Sequence, residues 1–122
     1  MTRLDWNVLD LDYEQEATRI CARLREILAR TLHRRGMVVA ISGGIDSSTC
    51  LGLAVRALGA DKVYALILPE RDSSDDSAAR ARILAEHLGV RTQTHDIEPA
   101  LAAIGCYEQR DAAVRRVLPG YG

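Results

Sequence analysis

The sequence has no phenylalanine, one tryptophan and a single lysine, Lys62, among 122 residues. Aromatic residues are 4% of the chain while apolar residues are 48%, so a core has to be assembled from Leu, Ile, Val and Ala. That apolar content is globular rather than disordered, and the length suits one domain. Cys21, Cys50 and Cys106 are odd in number, far apart and outside any C-x-x-C spacing. That pattern argues against a disulfide framework and a cysteine metal site, and free thiols of a cytoplasmic protein are expected. No apolar run approaches the roughly 20 residues of a membrane span, and Met1-Thr2-Arg3-Leu4-Asp5 lacks the apolar stretch of a secretory signal. A formal net charge of −1 argues against general nucleic-acid binding.

Residues 1–12 read as an extended arm, with Trp6 docking on its own subunit or on a partner. Residues 13–35 read as an amphipathic helix, because Tyr13, Ala17, Ile20, Cys21, Leu24, Ile27, Leu28 and Leu32 recur at three- and four-residue spacing. Asp12 suits its N-cap, and Gly36 suits its end. Residues 37–105 alternate between strand and helix. The β-branched run 37–41 and the run 63–68 are buried strands. Residues 90–97 form a more polar third strand, expected near an edge. Gly59 closes the helix after the first strand and Gly89 the helix after the second. Ser73 with Asp76 suits a capping pair for that second helix, and Pro99 suits a first helical turn. Residues 106–122 form an uncertain tail, with 107–118 as a weak helix. Such alternation makes a three-layer α/β fold, a parallel Rossmann-like sheet with helices on both faces.

The first strand runs into Ser42-Gly43-Gly44-Ile45-Asp46-Ser47-Ser48, and a helix follows. Adjacent glycines permit a sharp turn and leave room for a ligand against the backbone. The first N–H groups of a helix lack internal partners and lie at the positive end of its dipole, so the place suits phosphate. The lysine-bearing phosphate loop and the G-x-G-x-x-G dinucleotide pattern are both absent. In their place stands a carboxylate, Asp46, inside an anion cradle. A divalent cation between Asp46 and phosphates would account for it; the plainer alternative is that Asp46 caps the helix.

The S-G-G-x-D-S stretch resembles the pyrophosphate loop of the N-type ATP pyrophosphatases, whose fold is adenine nucleotide alpha hydrolase-like. Leu68-Pro69 at the end of the second strand and Thr94-His95-Asp96-Ile97-Glu98-Pro99 at the end of the third make it most similar to the NAD synthetases. The resemblance implies that Ser42, Gly43, Gly44, Ile45, Asp46, Ser47 and Ser48 hold ATP phosphates. It further implies that Asp46 ligates Mg²⁺ and that Leu66, Ile67 and Leu68 line the adenine pocket. It implies a homodimeric ligase that adenylates deamido-NAD⁺ and amidates it with ammonia, releasing AMP and pyrophosphate. A GMP synthetase-like or tRNA-thiolating relative, and a non-catalytic nucleotide-binding module, are the alternatives. Cysteines near the loop would favour thiolation, but Cys50 is expected in the core.

The resemblance covers residues 13–103. Family members are longer, so the chain reads as truncated, an ATP-binding part whose first strand would be left as an open apolar edge. Lys62 is expected on the rim opposite the loop. His33, His87 and His95 are available as bases but read as helix-end or surface residues, and Arg110, Arg115 and Arg116 as surface residues.

Overall fold

The computed structural model describes residues 10–121, so Trp6 and most of the expected arm lie outside the described residues. Helix α1 is Tyr13–Glu26, and the Asp12 side chain accepts from the Gln15 N–H at 3.0 Å, as the sequence suggests. A π-helical turn, Ile27–Thr31, widens the last part of the segment. The helix does not end on Gly36. His33, at φ +50°, turns the chain, while a Cβ on Gly36 would stand 2.5 Å from the Lys62 carbonyl oxygen. Gly36 is therefore required by a close backbone approach rather than by helix termination.

Strand β1 (Met37–Ala40), helix α2 (Ile45–Leu58), strand β2 (Val63–Ile67), helix α3 (Asp75–His87) and strand β3 (Arg91–Thr94) follow in order. The three strands are parallel in the order β1-β2-β3. Met37 faces Val63, and Ile67 faces Thr94, which fixes the carboxyl ends of all three on one rim. Gly59 and Gly89 take left-handed φ values of +85° and +67° after α2 and α3, as expected of helix-ending glycines. Every residue of β3 is exposed, in keeping with its polar sequence and edge position.

Burial alternates along β2, with Val63, Ala65 and Ile67 inward. These three join Leu51 and Ala54 of α2 and Ala81 and Ala85 of α3 in one cluster. Both helices thus cover the same face of the sheet, and alanines at the contacts let them approach closely without aromatic side chains. The alternate residues Val38, Ala40 and Gln93 are exposed on the other face, and Val38 retains 64% of its accessible surface. Among the described residues β1 pairs only with β2, so its outer edge is open. Helix α1 packs on α2, where Cys21 is buried with its sulfur 3.5 Å from the Leu53 carbonyl oxygen. Cys50, expected in the core, is exposed although it shares a helical face with the buried Ala54 and Ala57; that face of α2 is covered only farther along the helix.

Two short helices, α4 (Glu98–Ala103) and α5 (Cys106–Arg115), complete the chain, so the weak helical pattern near the end is a real helix. Leu51 is 0% exposed whereas Ile83 keeps 65%. Leu51→Ala should therefore cost about 2–5 kcal/mol, read as a fall in denaturant midpoint at constant m-value. Ile83→Ala should change stability by less than about 0.5 kcal/mol.

Candidate functional site

Between β1 and α2 the chain turns through Gly43 and Gly44, and the two glycines do different work. Gly43 has φ +76°, and a Cβ there would lie 2.4 Å from the Ser77 carbonyl oxygen and 3.1 Å from Cβ of Arg80, both on α3. Only glycine allows the loop to rest on that helix. Gly44 has φ −84°, which any residue adopts, and its Cβ would meet only the Ser42 hydroxyl, at 3.4 Å. Serine hydroxyls brace the turn. Ser47 Oγ accepts from the Ser42 N–H at 3.2 Å, and Ser48 Oγ donates to the Gly44 carbonyl at 2.7 Å.

Helix α2 begins at Ile45, so Ile45, Asp46, Ser47 and Ser48 belong to its first turn, and its N-cap is Gly44. Glycine offers no side-chain acceptor, and no side chain caps the helix. The leading N–H groups therefore keep their donor capacity at the positive end of the helix dipole. Asp46 is not the cap; its position within the first turn leaves its exposed carboxylate beside the cradle. No cluster of three or more His, Cys, Asp or Glu side chains suited to a metal exists among the described residues. A divalent ion here would have Asp46 as its protein ligand and draw its other oxygens from phosphate and water, the usual habit of Mg²⁺. The residues present fit that arrangement.

Beside the loop lies a hollow of about 210 Å³, walled by Ile41 and Ser42 after β1, Ile67, Leu68 and Pro69 around the end of β2, and Ser77 of α3. Its volume falls below the roughly 300 Å³ of a drug-sized site, so it suits a flat heterocycle rather than a whole nucleotide. Of the three residues expected to line an adenine pocket, Ile67 and Leu68 wall this hollow and Leu66 does not. Side chains alternate along a strand, which sends Leu66 to the opposite face; its carbonyl accepts from the Ile41 N–H at 2.8 Å.

The segment after β2 is held in place by α5. Tyr107, 5% exposed, donates its hydroxyl to Glu70 Oε2 at 3.0 Å and accepts from the Arg71 N–H at 3.4 Å. The Arg71 guanidinium lies 3.9 Å above the ring centre and pairs with Glu98 at 3.0 Å; Arg110 lies 5.4 Å from the ring centre and pairs with Asp72. Burial pushes the Tyr107 hydroxyl pKa up, and the Glu70 carboxylate beside it acts in the same direction. The expected Ser73–Asp76 capping pair is not formed. The N-cap of α3 is Ser74, and Ser73 Oγ instead accepts from the Glu70 N–H at 3.1 Å. His33, His87 and His95 are exposed, and none lines the hollow. Lys62 ends the turn immediately before β2, on the rim opposite the loop. Arg80, which lay outside the sequence motif, is the basic residue whose stem reaches Gly43; only the packing of α3 on the loop reveals it.

A sequence model described as NAD synthase matches residues 16–116. The NH(3)-dependent NAD(+) synthetase of Rhizobium meliloti is 48% identical over 116 residues, which is 95% of this chain and 34% of that protein. The Mesorhizobium japonicum protein of the same name is also 48% identical, over 94% of this chain and 36% of its own length. The chain thus spans about a third of the length of the curated relatives it matches. Among solved structures, a glutamine-dependent NAD+ synthetase from Acinetobacter baumannii in complex with ADP superposes with a TM-score of 0.69 at 27% identity, covering 75% of this chain and 17% of that one. An NMN synthetase from Francisella tularensis gives 0.72 at 27% identity, covering 83% and 41%.

The two loop glycines should separate by experiment. Gly43→Ala combines left-handed strain with a backbone clash and should destabilise the fold by about 2–4 kcal/mol. Gly44→Ala should fold with an unchanged circular-dichroism spectrum and lose pyrophosphate binding, because its methyl would project into the cradle. Pyrophosphate affinity equal to wild type in Gly44→Ala would rule out the backbone cradle.

Proposed function

The chain belongs to the NAD synthase family, and from that premise we propose that it carries the ATP-binding part of an ammonia-dependent NAD synthetase. The observation that carries this reading is the N-terminus of α2, left without a side-chain cap and opening beside an apolar hollow at the carboxyl ends of β1 and β2. Ligands of open α/β sheets bind at that rim. The Acinetobacter structure with ADP supports a nucleotide as the occupant, and the names of the relatives support ammonia as nitrogen donor.

In this reading the adenine enters the hollow against Ile67, Leu68 and Pro69, and the phosphates turn onto the Ser42–Ser48 loop. The N–H groups of Ile45, Asp46 and Ser47 hold phosphate oxygens and stabilise the charge that gathers on departing pyrophosphate. Asp46 would hold Mg²⁺, which supplies charge neutralisation between carboxylate and phosphates. The whole reaction joins the carboxylate of deamido-NAD⁺ to AMP with loss of pyrophosphate; ammonia then displaces AMP to give the amide. No side chain of this chain has to act as nucleophile, so its contribution is positioning and electrostatics. The same reading includes a cytoplasmic homodimer; no helix among the described residues is long and apolar enough to cross a membrane. The likeness to the Francisella protein keeps a second acceptor open, a deamidated mononucleotide whose product would be NMN.

Two outcomes are expected. Asp46→Asn should weaken ATP binding about tenfold in Mg²⁺, roughly 1.4 kcal/mol, and change it little in EDTA; calorimetric titrations under both conditions decide this. The wild-type chain, incubated with Mg²⁺-ATP, ammonia and either deamido-NAD⁺ or the mononucleotide, should bind ATP yet yield no AMP, pyrophosphate or amidated product. Robust turnover with either acceptor would place the complete site in this part of the protein.

A further inference from the structure

We propose that Tyr107 is a positioning residue for the nucleotide site, fixing the loop at residues 69–74 without touching the nucleotide; this rests on the nucleotide-binding reading above. Two residues of that loop, Pro69 and Ser73, wall the hollow. The loop therefore has to keep one conformation for the hollow to keep its shape.

Most of the bonds within the loop meet at Glu70. Its backbone carbonyl accepts from the Ser73 N–H at 3.0 Å, its own N–H donates to Ser73 Oγ at 3.1 Å, and its Oε1 accepts from the Asp72 N–H at 3.1 Å. The other carboxylate oxygen takes the Tyr107 hydroxyl, which also accepts from the Arg71 N–H. One buried hydroxyl thus sets the rotamer of the side chain that shapes the turn. The tyrosine ring contributes separately, as a face on which the Arg71 guanidinium rests while it reaches Glu98 on α4. Arg110, one turn along α5 from Tyr107, grips Asp72 of the same loop.

The elements that present Tyr107 are built for this approach. Helix α4 is six residues long, and Gly105, at φ +73°, caps α5 and turns the chain back toward the loop. The loop is also joined to the third strand's exit, since the Ile97 N–H donates to the Pro69 carbonyl at 3.0 Å. Its start is therefore held by backbone bonds, and its outer half by Tyr107 and Arg110. A loop that samples other conformations binds with an affinity reduced by the fraction that is competent.

Tyr107→Phe separates the two contributions, because the ring and its stacked guanidinium remain while the hydroxyl goes. Amide hydrogen exchange, thermal unfolding and ATP titration should be compared across wild type, Tyr107→Phe, Tyr107→Ala and Val90→Ala. In Tyr107→Phe, exchange at Arg71 and Asp72 should accelerate, and ATP affinity should fall about three- to tenfold, with little change in melting temperature. Tyr107→Ala should lose more affinity. Val90→Ala, a core change away from the loop, should lower the melting temperature and leave affinity within about twofold of wild type. Unchanged exchange in Tyr107→Phe, or faster exchange with wild-type affinity, would overturn the proposal. Failure of the wild-type chain to bind ATP would instead remove the nucleotide reading, and the exchange comparison, which needs no ligand, would still decide whether Tyr107 holds the loop.

Discussion

The contact of Gly43 with the first turns of α3 is the constraint on which the site depends. A backbone carbonyl, that of Ser77, occupies the space where any side chain at position 43 would have to begin. The loop between β1 and α2 is thereby laid against a helix that follows a different strand. That contact sets the start of α2 beside the end of β2, and it explains why a hollow exists there at all. Two separate βα units share one wall, and the ligand-sized space is what remains between them.

The same economy shapes the core. With no phenylalanine available, close packing is reached by drawing helices toward the sheet instead of filling the gap with rings. Ala54 and Ala57 of α2 and Ala81 and Ala85 of α3 are buried, and Leu51 is the large side chain wedged between the layers. Dispersion at short range replaces aromatic bulk. The consequence for the site is a stiff support directly beneath it. Leu51 and Ala54, both fully buried, lie within three turns of Gly44 and tie the first half of α2 to the core.

The features read correctly from sequence are those whose physics is local. Alternation of strand and helix, the Asp12 cap, the turn at Gly59 and the polar edge strand each depend on a few neighbouring residues, and each stands as expected. The misreadings share a different cause. Gly36 resembles a helix terminator, but its requirement comes from Lys62 across the sheet's lower rim. Ser73 resembles half of a capping box, but Glu70 competes for its hydroxyl. Cys50 shares a helical face with the buried Ala54 and Ala57, yet nothing covers that face at its own turn. The docking of Tyr107 on residues 70 and 71 joins segments 36 and 37 positions apart, a distance at which no periodicity in the sequence speaks.

Charge balance gives the sharpest view of what this part of the protein can do. A triphosphate brings several negative charges, and a helix N-terminus answers with the equivalent of about half a positive one. Asp46 worsens that balance unless a cation joins it. The basic side chains nearby are largely committed, Arg71 to Glu98 and Arg110 to Asp72 and Asp111. Lys62 is a strand's length away, roughly 17 Å for five residues. Arg80 and Arg82 of α3 are the exceptions, Arg82 lying beside Pro69 and Ser73 with no ion pair among the described residues. The Arg80 stem packs on Gly43, and its guanidinium meets Asp76 by a loose 3.7 Å pairing and a 3.3 Å hydrogen bond to the Asp76 carbonyl within one helix, an exposed pairing that contributes little. In the proposed reading, these side chains and a Mg²⁺ at Asp46 would answer only part of the charge on a departing pyrophosphate. Binding without turnover, proposed above, is the outcome that this electrostatic shortfall favours.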